Sequence, residues 1–506
     1  MNPRDPARLA LPLLAAAIVL GPFATVVISS PPLGSTFELP GPRLVAWTLA
    51  WAAGVALLAL VLAIPGAILI ARRGSLAAPL ILTPLLLPTY LAYSGYTILR
   101  APGSALGNWL SQLSAAGDTA PAAMAGRLTA LLALALWSWP LASLALGASI
   151  RRLDANVLDA LALDAGKPRR ALELARMIAP GAAGAFLLVL LVMLGSSIPF
   201  HLAQVKTAAI VTWLQLQETA NPLATWPTAW PSVAAAIIAA WWISGRLTNL
   251  RHAASADESA RPAGPLPILG LALILTLSVL LPFGLFAANL KELSALWTFW
   301  RLNAEAVATS LGVAATTALA VGTIAVLVGA TANAPRSFSR RAAIFLLLTS
   351  GLVPGILVGS AWSITSLKLP PAIGDSVLPL IAAHIARFSL VGVLAGSLAA
   401  ATEPRELSEI RRIEGVPGLR GWLTTCGMAN APLLAAAALI AGVLSFHEIE
   451  SSVMVQPPGL QSLAQRLLND LHQLRMDAMS AAALWLVGAG ILVAIAASTL
   501  LARWRT

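Results

Sequence analysis

Apolar runs of about twenty residues, cut by short polar joints, make up most of this chain. They fall near 9–30, 44–71, 77–99, 127–149, 181–200 and 230–245, and again near 266–288, 304–331, 342–365, 377–401, 431–447 and 479–502. A membrane-crossing helix needs about 20 mostly apolar residues. The pattern therefore predicts an all-α polytopic membrane protein of about twelve spans, in two sets of six. The stretch 246–264, "RLTNLRHAASADESARPAG", is polar and rich in small residues, as a linker should be. It separates an expected first half, 1–245, from a second, 265–506.

Each half interrupts its apolar pattern with a charged elbow between the fourth and fifth span. The first is "LDALALDAGKPRR", residues 158–170, and the second is "LSEIRRIEGVPGL", residues 407–419. Both carry Gly-x-Pro, as Gly166 with Pro168 and Gly415 with Pro417, 415 − 166 = 249 residues apart. Glycine tolerates the left-handed backbone of a helix C-terminus, and proline pre-sets the start of the next helix. Helix, sharp turn, helix is the expected product. Asp159 and Asp164 in one elbow and Glu409 and Glu414 in the other stand among arginines. Such a mixed-charge surface is either a solvated loop or a dock for a soluble partner, and long loops at equivalent positions favour the dock. A second echo follows each elbow, "IPFHLAQV" around His201 and "LSFHEIES" around His447. Both elbows fall on one face of the membrane, so the repeat is parallel, an arrangement characteristic of transporters.

Composition agrees with the pattern. Hydrophobic residues are 58% of the 506 and charged ones 10%, against roughly 25% charged in soluble domains. The net charge of +11 raises the question of nucleic acid, but the arginines lie at the ends of apolar runs and not on one basic face. With the N-terminus inside, 22 of the 32 lysines and arginines fall on the cytoplasmic side, which predicts both termini inside. Trp226, Trp230, Trp297 and Trp300 at outer span ends, with Trp422 and Trp504 at inner ones, suit an aromatic belt. The run from Leu9 outlasts a signal-peptide core and reads as the first span. Cys426 is the single cysteine, so no disulfide framework exists.

Several polar or kinking residues stand out inside the apolar pattern. His384 and Arg387 fall within a span, where a charge faces a bundle interior or a water-filled cavity, or else pairs with a carbonyl to stiffen the bundle. His201, His447 and Glu448, with Glu450, sit at outer span ends. They are candidates for a gate or a docking surface, or they simply satisfy helix ends. Pro88 and Pro354 kink the third span of each half. The chain has no G-x-x-x-x-G-K-[ST] loop to cradle phosphates and no His-Glu-x-x-His or other metal-ligand spacing. Neither a cofactor nor a resident metal is expected, and any ATP must be hydrolysed elsewhere.

The elbows resemble the EAA loops of permease subunits of bacterial ATP-binding-cassette importers. In that family a glutamate, two small residues and, three positions later, a glycine form a coupling helix. Glu409 and Gly415 match the glutamate and glycine. In the first elbow Gly166 matches, while the glutamate position falls on Ala160, with Asp159 one residue early. The small pair is kept in part as Leu161 and Ala162 and is replaced by Ile410 and Arg411; the later proline is displaced, at Pro180 and Pro432. "HIARFSLVGVLAGSLAAATEPRELSEI" and the segment from Ser445 to His472 are similar to the iron(III) and thiamine branch, whose two halves are commonly fused. The resemblance implies an inner-membrane permease that docks two copies of an ATPase subunit using ATP and magnesium. A periplasmic binding protein would deliver the cargo. Iron(III) leads, thiamine follows, and polyamines or other small solutes stay open. An ion-gradient-driven secondary transporter is the rival reading.

Overall fold

The computed structural model describes residues 6–29, 41–73, 78–151, 153, 160–161, 163, 166–219, 226–247, 264–332, 338–414, 416, 418–473 and 475–503. It is 87% helical, with no strand among the described residues. In chain order the first half contains α1 (Leu9–Ser29), α2 (Pro42–Arg73), α3 (Ala78–Leu82), α4 (Thr89–Thr97), α5 (Ala105–Ala115) and α6 (Ala120–Arg151). It continues with α7 (Lys167–Gly195), α8 (Ile198–Leu202), α9 (Ala208–Thr219) and α10 (Trp226–Leu247). The second half opens with α11 (Pro265–Asn289), α12 (Ser294–Ala330), α13 (Phe338–Leu352), α14 (Gly355–Ser366), α15 (Pro371–Gly374) and α16 (Leu378–Ala401). It ends with α17 (Arg405–Ile413), α18 (Leu419–Gly427), α19 (Ala431–Phe446), α20 (Ser452–Val455), α21 (Leu463–His472) and α22 (Met476–Arg503).

Among the described residues eight helices are long and apolar enough to cross a membrane, or ten if two bent pairs each count as one span. The expected runs at 77–99 and 230–245 are the two outside that set. The former is chopped into α3, a tight turn over Thr83–Leu86 and α4, because Pro84 and Pro88 cannot donate to a continuing helix. The latter forms one helix, α10, rich in tryptophan, and it runs two residues into the expected linker. The fifth run is also displaced. Its helix starts at the elbow and stops at Gly195, and Pro199 begins the separate short α8.

Proline sets the breaks in both halves alike. Pro88 precedes α4 with φ −57° and ψ 134°, and Pro354 precedes α14 with φ −49° and ψ 135°. At the second, α13 and α14 meet at 110°. The first helix of each half carries a π-helical turn, Ala16–Leu20 in α1 and Thr276–Leu280 in α11, just before Pro22 and Pro282. A proline nitrogen leaves a carbonyl one turn back without its partner, and the widened turn absorbs the mismatch.

Packing follows small residues. In the first half α2, α6 and α7 pack together; in the second, α12, α16 and α19 do. Gly392 and Gly396 let α16 approach α12 so closely that an added methyl would collide with the carbonyls of Val321 and Ala325. Between the halves the contacts are reciprocal. Helix α1 lies against α12, α13 and α14 of the second half, whereas α11 lies against α2 and α4 of the first. Likewise α10 packs on α13, and α22 packs on α3. Trp422, expected at a membrane interface, is instead buried against Gly329 in the second half's core, whereas Trp230 and Trp297 are exposed. Trp504 lies outside the described residues.

Candidate functional site

The chain leaves α19, turns through His447–Ser451 and enters α20. This turn places Glu448 and Glu450 against Arg387 of α16. The guanidinium lies 3.8 Å from Glu448 (Nε to Oε2) and 3.6 Å from Glu450 (Nη2 to Oε2), and its Nη1 donates to the carbonyl of Val353. Val353 immediately precedes Pro354, so this is the carbonyl that the break between α13 and α14 leaves without a helical partner. The other charges perform similar service. Glu450 Oε1 accepts from the backbone N–H and hydroxyl of Ser197, at 2.8 and 2.9 Å, in the break between α7 and α8. Glu448 Oε1 accepts from the N–H and hydroxyl of Ser451 at 3.0 and 3.1 Å. An apolar medium offers broken helices no water, so side chains must take up the freed backbone groups.

His384, one turn before Arg387, is 3% exposed and bridges two hydroxyls, Ser445 Oγ at 2.8 Å and Ser452 Oγ at 2.9 Å. Ser452 in turn donates to the carbonyl of Glu448. Two small recesses flank the cluster; His384 and Glu448 line the first, Ser197 and Glu450 the second. Arg387 thus contacts one carboxylate from each recess. The equivalent break in the first half is neutral: Trp137 Nε1 of α6 donates to the carbonyl of Leu87, before Pro88, at 2.8 Å. Charge at the helix breaks is therefore concentrated in the second half.

Gly355 is what allows this closeness. A β-carbon there would sit 2.8 Å from Glu448 Oε1, 3.1 Å from Glu450 Cβ and 3.2 Å from Arg387 Cζ. Gly355→Val is expected to cost about 1–3 kcal/mol and to drive the carboxylates off the guanidinium, read as a lower melting temperature in detergent. An unchanged melt would show that the cluster yields without cost.

Both elbows contain candidate residues. Asp159, Asp164, Gly415 and Pro417 lie outside the described residues. Gly166 is described, and it corrects an expectation: its φ of −60° and ψ of 157° are extended, at the N-cap of α7, and an added methyl would meet nothing within 4 Å. The chain needs no left-handed residue there, because the entering backbone is already extended. Pro168 does open α7 as expected. In the second elbow the left-handed position falls on Gly418, with φ 108°, and Gly421 packs on the carbonyl of Val416. Helix α17 exposes Glu409, Ile410 and Ile413, and Glu414 and Val416 just past its end are exposed as well; Ile413 is 84% exposed. Its inner side is anchored by Arg411, which pairs with Glu403 and donates to Thr425 Oγ1 at 3.3 Å. Leu163 in the first elbow is also exposed.

His201 and His447 are not brought together. His447 lies beside Phe446, its Nδ1 buried without a hydrogen-bond partner, while His201 lies edge-on to Trp213 and next to His472. Sequence reasoning missed Ser197, Ser445, Ser452 and Glu403 as partners, and it passed over His472. Serine is too common in this chain to signal anything by itself. No protein-family model, no curated protein and no solved structure matches the chain.

Proposed function

We propose that the chain is the membrane permease of an ATP-driven importer, with twelve spans in two parallel six-helix halves fused into one polypeptide. The observation that carries this reading is the second elbow. A short helix stands between the fourth and fifth spans, bears exposed Ile410 and Ile413 among exposed glutamates, is followed by exposed Val416, and is tied to the fifth span through Arg411. Exposed apolar side chains on a water-facing helix cost free energy unless a partner covers them. The ATPase subunit is that partner, one copy per elbow. The reciprocal packing of α1 and α11, and of α10 and α22, supports a pseudo-two-fold axis between the halves. In this reading the chain lies in a bacterial inner membrane with both termini cytoplasmic. A periplasmic binding protein delivers the cargo, with iron(III) the leading candidate, thiamine the next and polyamines still open.

Mechanistically, ATP binding draws the two elbows together, and the anchored helices pass that movement to the spans as rigid-body rocking. Arg387, Glu448 and Glu450 hold the helix breaks of both halves together, since Glu450 reaches Ser197 of the first half. Separating the halves there exposes two carboxylates and a guanidinium to the pathway. The same cluster favours one rival: a carrier driven by an ion gradient needs ionisable residues inside its bundle, and His384, Arg387, Glu448 and Glu450 provide them.

Uptake in proteoliposomes separates the two. Labelled iron(III) and thiamine are offered with the cognate binding protein and ATPase, with ATP or with a proton or sodium gradient. ATP-dependent uptake that Ile413→Asp reduces about tenfold or more, with loss of ATPase co-purification, is the expected result. Gradient-driven uptake without the ATPase would replace the proposal with the carrier reading.

A further inference from the structure

On the face opposite the elbows, two histidines from different halves meet. His201 belongs to α8, just past the end of α7, and His472 ends α21, 271 residues later; their ring centres are 5.8 Å apart. His472 is exposed and His201 half-buried, so both are reachable from water. From this geometry we infer a two-histidine site for a divalent transition ion of the zinc, nickel or copper class, bridging α8 to α21.

The distance fits. With a metal–nitrogen bond of about 2.1 Å and roughly 1.1 Å more to the ring centre, two imidazoles on one ion have centres about 5–6 Å apart as the ligand angle widens from tetrahedral. The proton positions fit as well. His472 Nδ1 lies 2.8 Å from the carbonyl of Leu468, and a carbonyl can only accept, so Nδ1 carries the proton and Nε2 keeps its lone pair. A ring N–H held by a backbone carbonyl is the usual support of a metal-bound histidine, fixing both tautomer and orientation. His201 lies in the short helix between α9 and α7, which is long and apolar enough to cross a membrane. Its ring is fixed from the other side by the edge of Trp213, at 5.1 Å. No group of three or more metal-ligating side chains occurs among the described residues, so water completes the shell. Imidazole ligands with water suit these borderline ions better than calcium or magnesium.

The two ligands come from opposite halves, so a bound ion joins them. A consequence that rests on the permease reading is that the ion holds the outer faces together and slows uptake. The binding itself does not depend on that reading.

The test uses the full-length, untagged chain in lipid nanodiscs, titrated with Ni²⁺ by calorimetry and with Cu²⁺ by electron paramagnetic resonance. One saturable Ni²⁺ per chain and a Cu²⁺ spectrum with two coupled nitrogens are expected. His201→Asn and His472→Asn should each weaken Ni²⁺ binding about tenfold or more and leave one coupled nitrogen. His252→Asn should change neither, and an unaltered melting temperature shows that each variant is folded. No saturable Ni²⁺ binding by the native chain, or equal affinity in all of these proteins, overturns the site. Ion binding without any effect on uptake would leave the site standing and count against the rocking motion of the halves.

Discussion

Arg387→Met is expected to lower the stability of the protein by about 3 kcal/mol, the lower end of the cost of breaking a buried ion pair, because the Arg387 side chain is still 20% exposed. Three groups lose their partner at once: the carbonyl of Val353 and the carboxylates of Glu448 and Glu450, which are also left to repel each other. The loss should be largely reversible. Glutamine at 448 and 450 can still accept from Ser451 and Ser197 through its amide oxygen, so the triple variant Arg387→Met/Glu448→Gln/Glu450→Gln should regain most of the melting temperature. Thermal unfolding in detergent compares the native chain with the single and the triple variant. If Arg387→Met melts like the native chain, the cluster does not hold the helix breaks. Should the triple variant be stable yet inactive in uptake, the charges act in transport and not merely in folding.

The second large effect is expected at the base of the elbow. Glu403 and Arg411 are each 8% exposed, and Arg411 stands where the resembling permease loops have a small residue. Arg411→Ala takes from the buried Glu403 carboxylate its ion pair with Arg411, at a cost of about 3 kcal/mol. The elbow is small, so the cost should appear as local opening: amide exchange over 405–413 rises about a hundredfold, while the core of α12 and α16 is unaffected. Replacing both residues by leucine removes the stranded charge and should restore protection. Under the permease reading, Arg411→Ala also lowers cargo-stimulated ATP hydrolysis, and the double leucine variant recovers it. Native exchange rates in Arg411→Ala would mean that the pair contributes nothing to holding α17.

What could be read along the chain was what depends on local order. Apolar runs marked the eight to ten helices able to cross a membrane, and Pro88 and Pro354 marked the breaks, because a missing N–H acts on its own helix regardless of the rest of the fold. Pro168 likewise announced the start of α7. Arg387 was visible as a charge out of place, but its partners were not, since Glu448 is 61 residues away and Ser197 lies in the other half. Gly166 misled because the Gly-x-Pro spacing looks the same whether glycine closes one helix or caps the next. His201 was paired by analogy with His447, because the segments "IPFHLAQV" and "LSFHEIES" echo each other along the sequence. Helix α21 brings His472 to it instead, a non-local contact that no periodicity records.

The exchange of first helices between the halves bears on how the chain is made. Helix α1 finds its neighbours on α12, α13 and α14, and those residues leave the ribosome about 300 positions later. At roughly 5–20 residues per second, α1 waits about 15 to 60 s in the bilayer before its native surface exists. Throughout that interval its apolar flank faces lipid, which solvates it as well as protein would. A water-soluble protein with the same exchange would instead hold a sticky helix in solvent for that time, so the membrane makes this late closure tolerable.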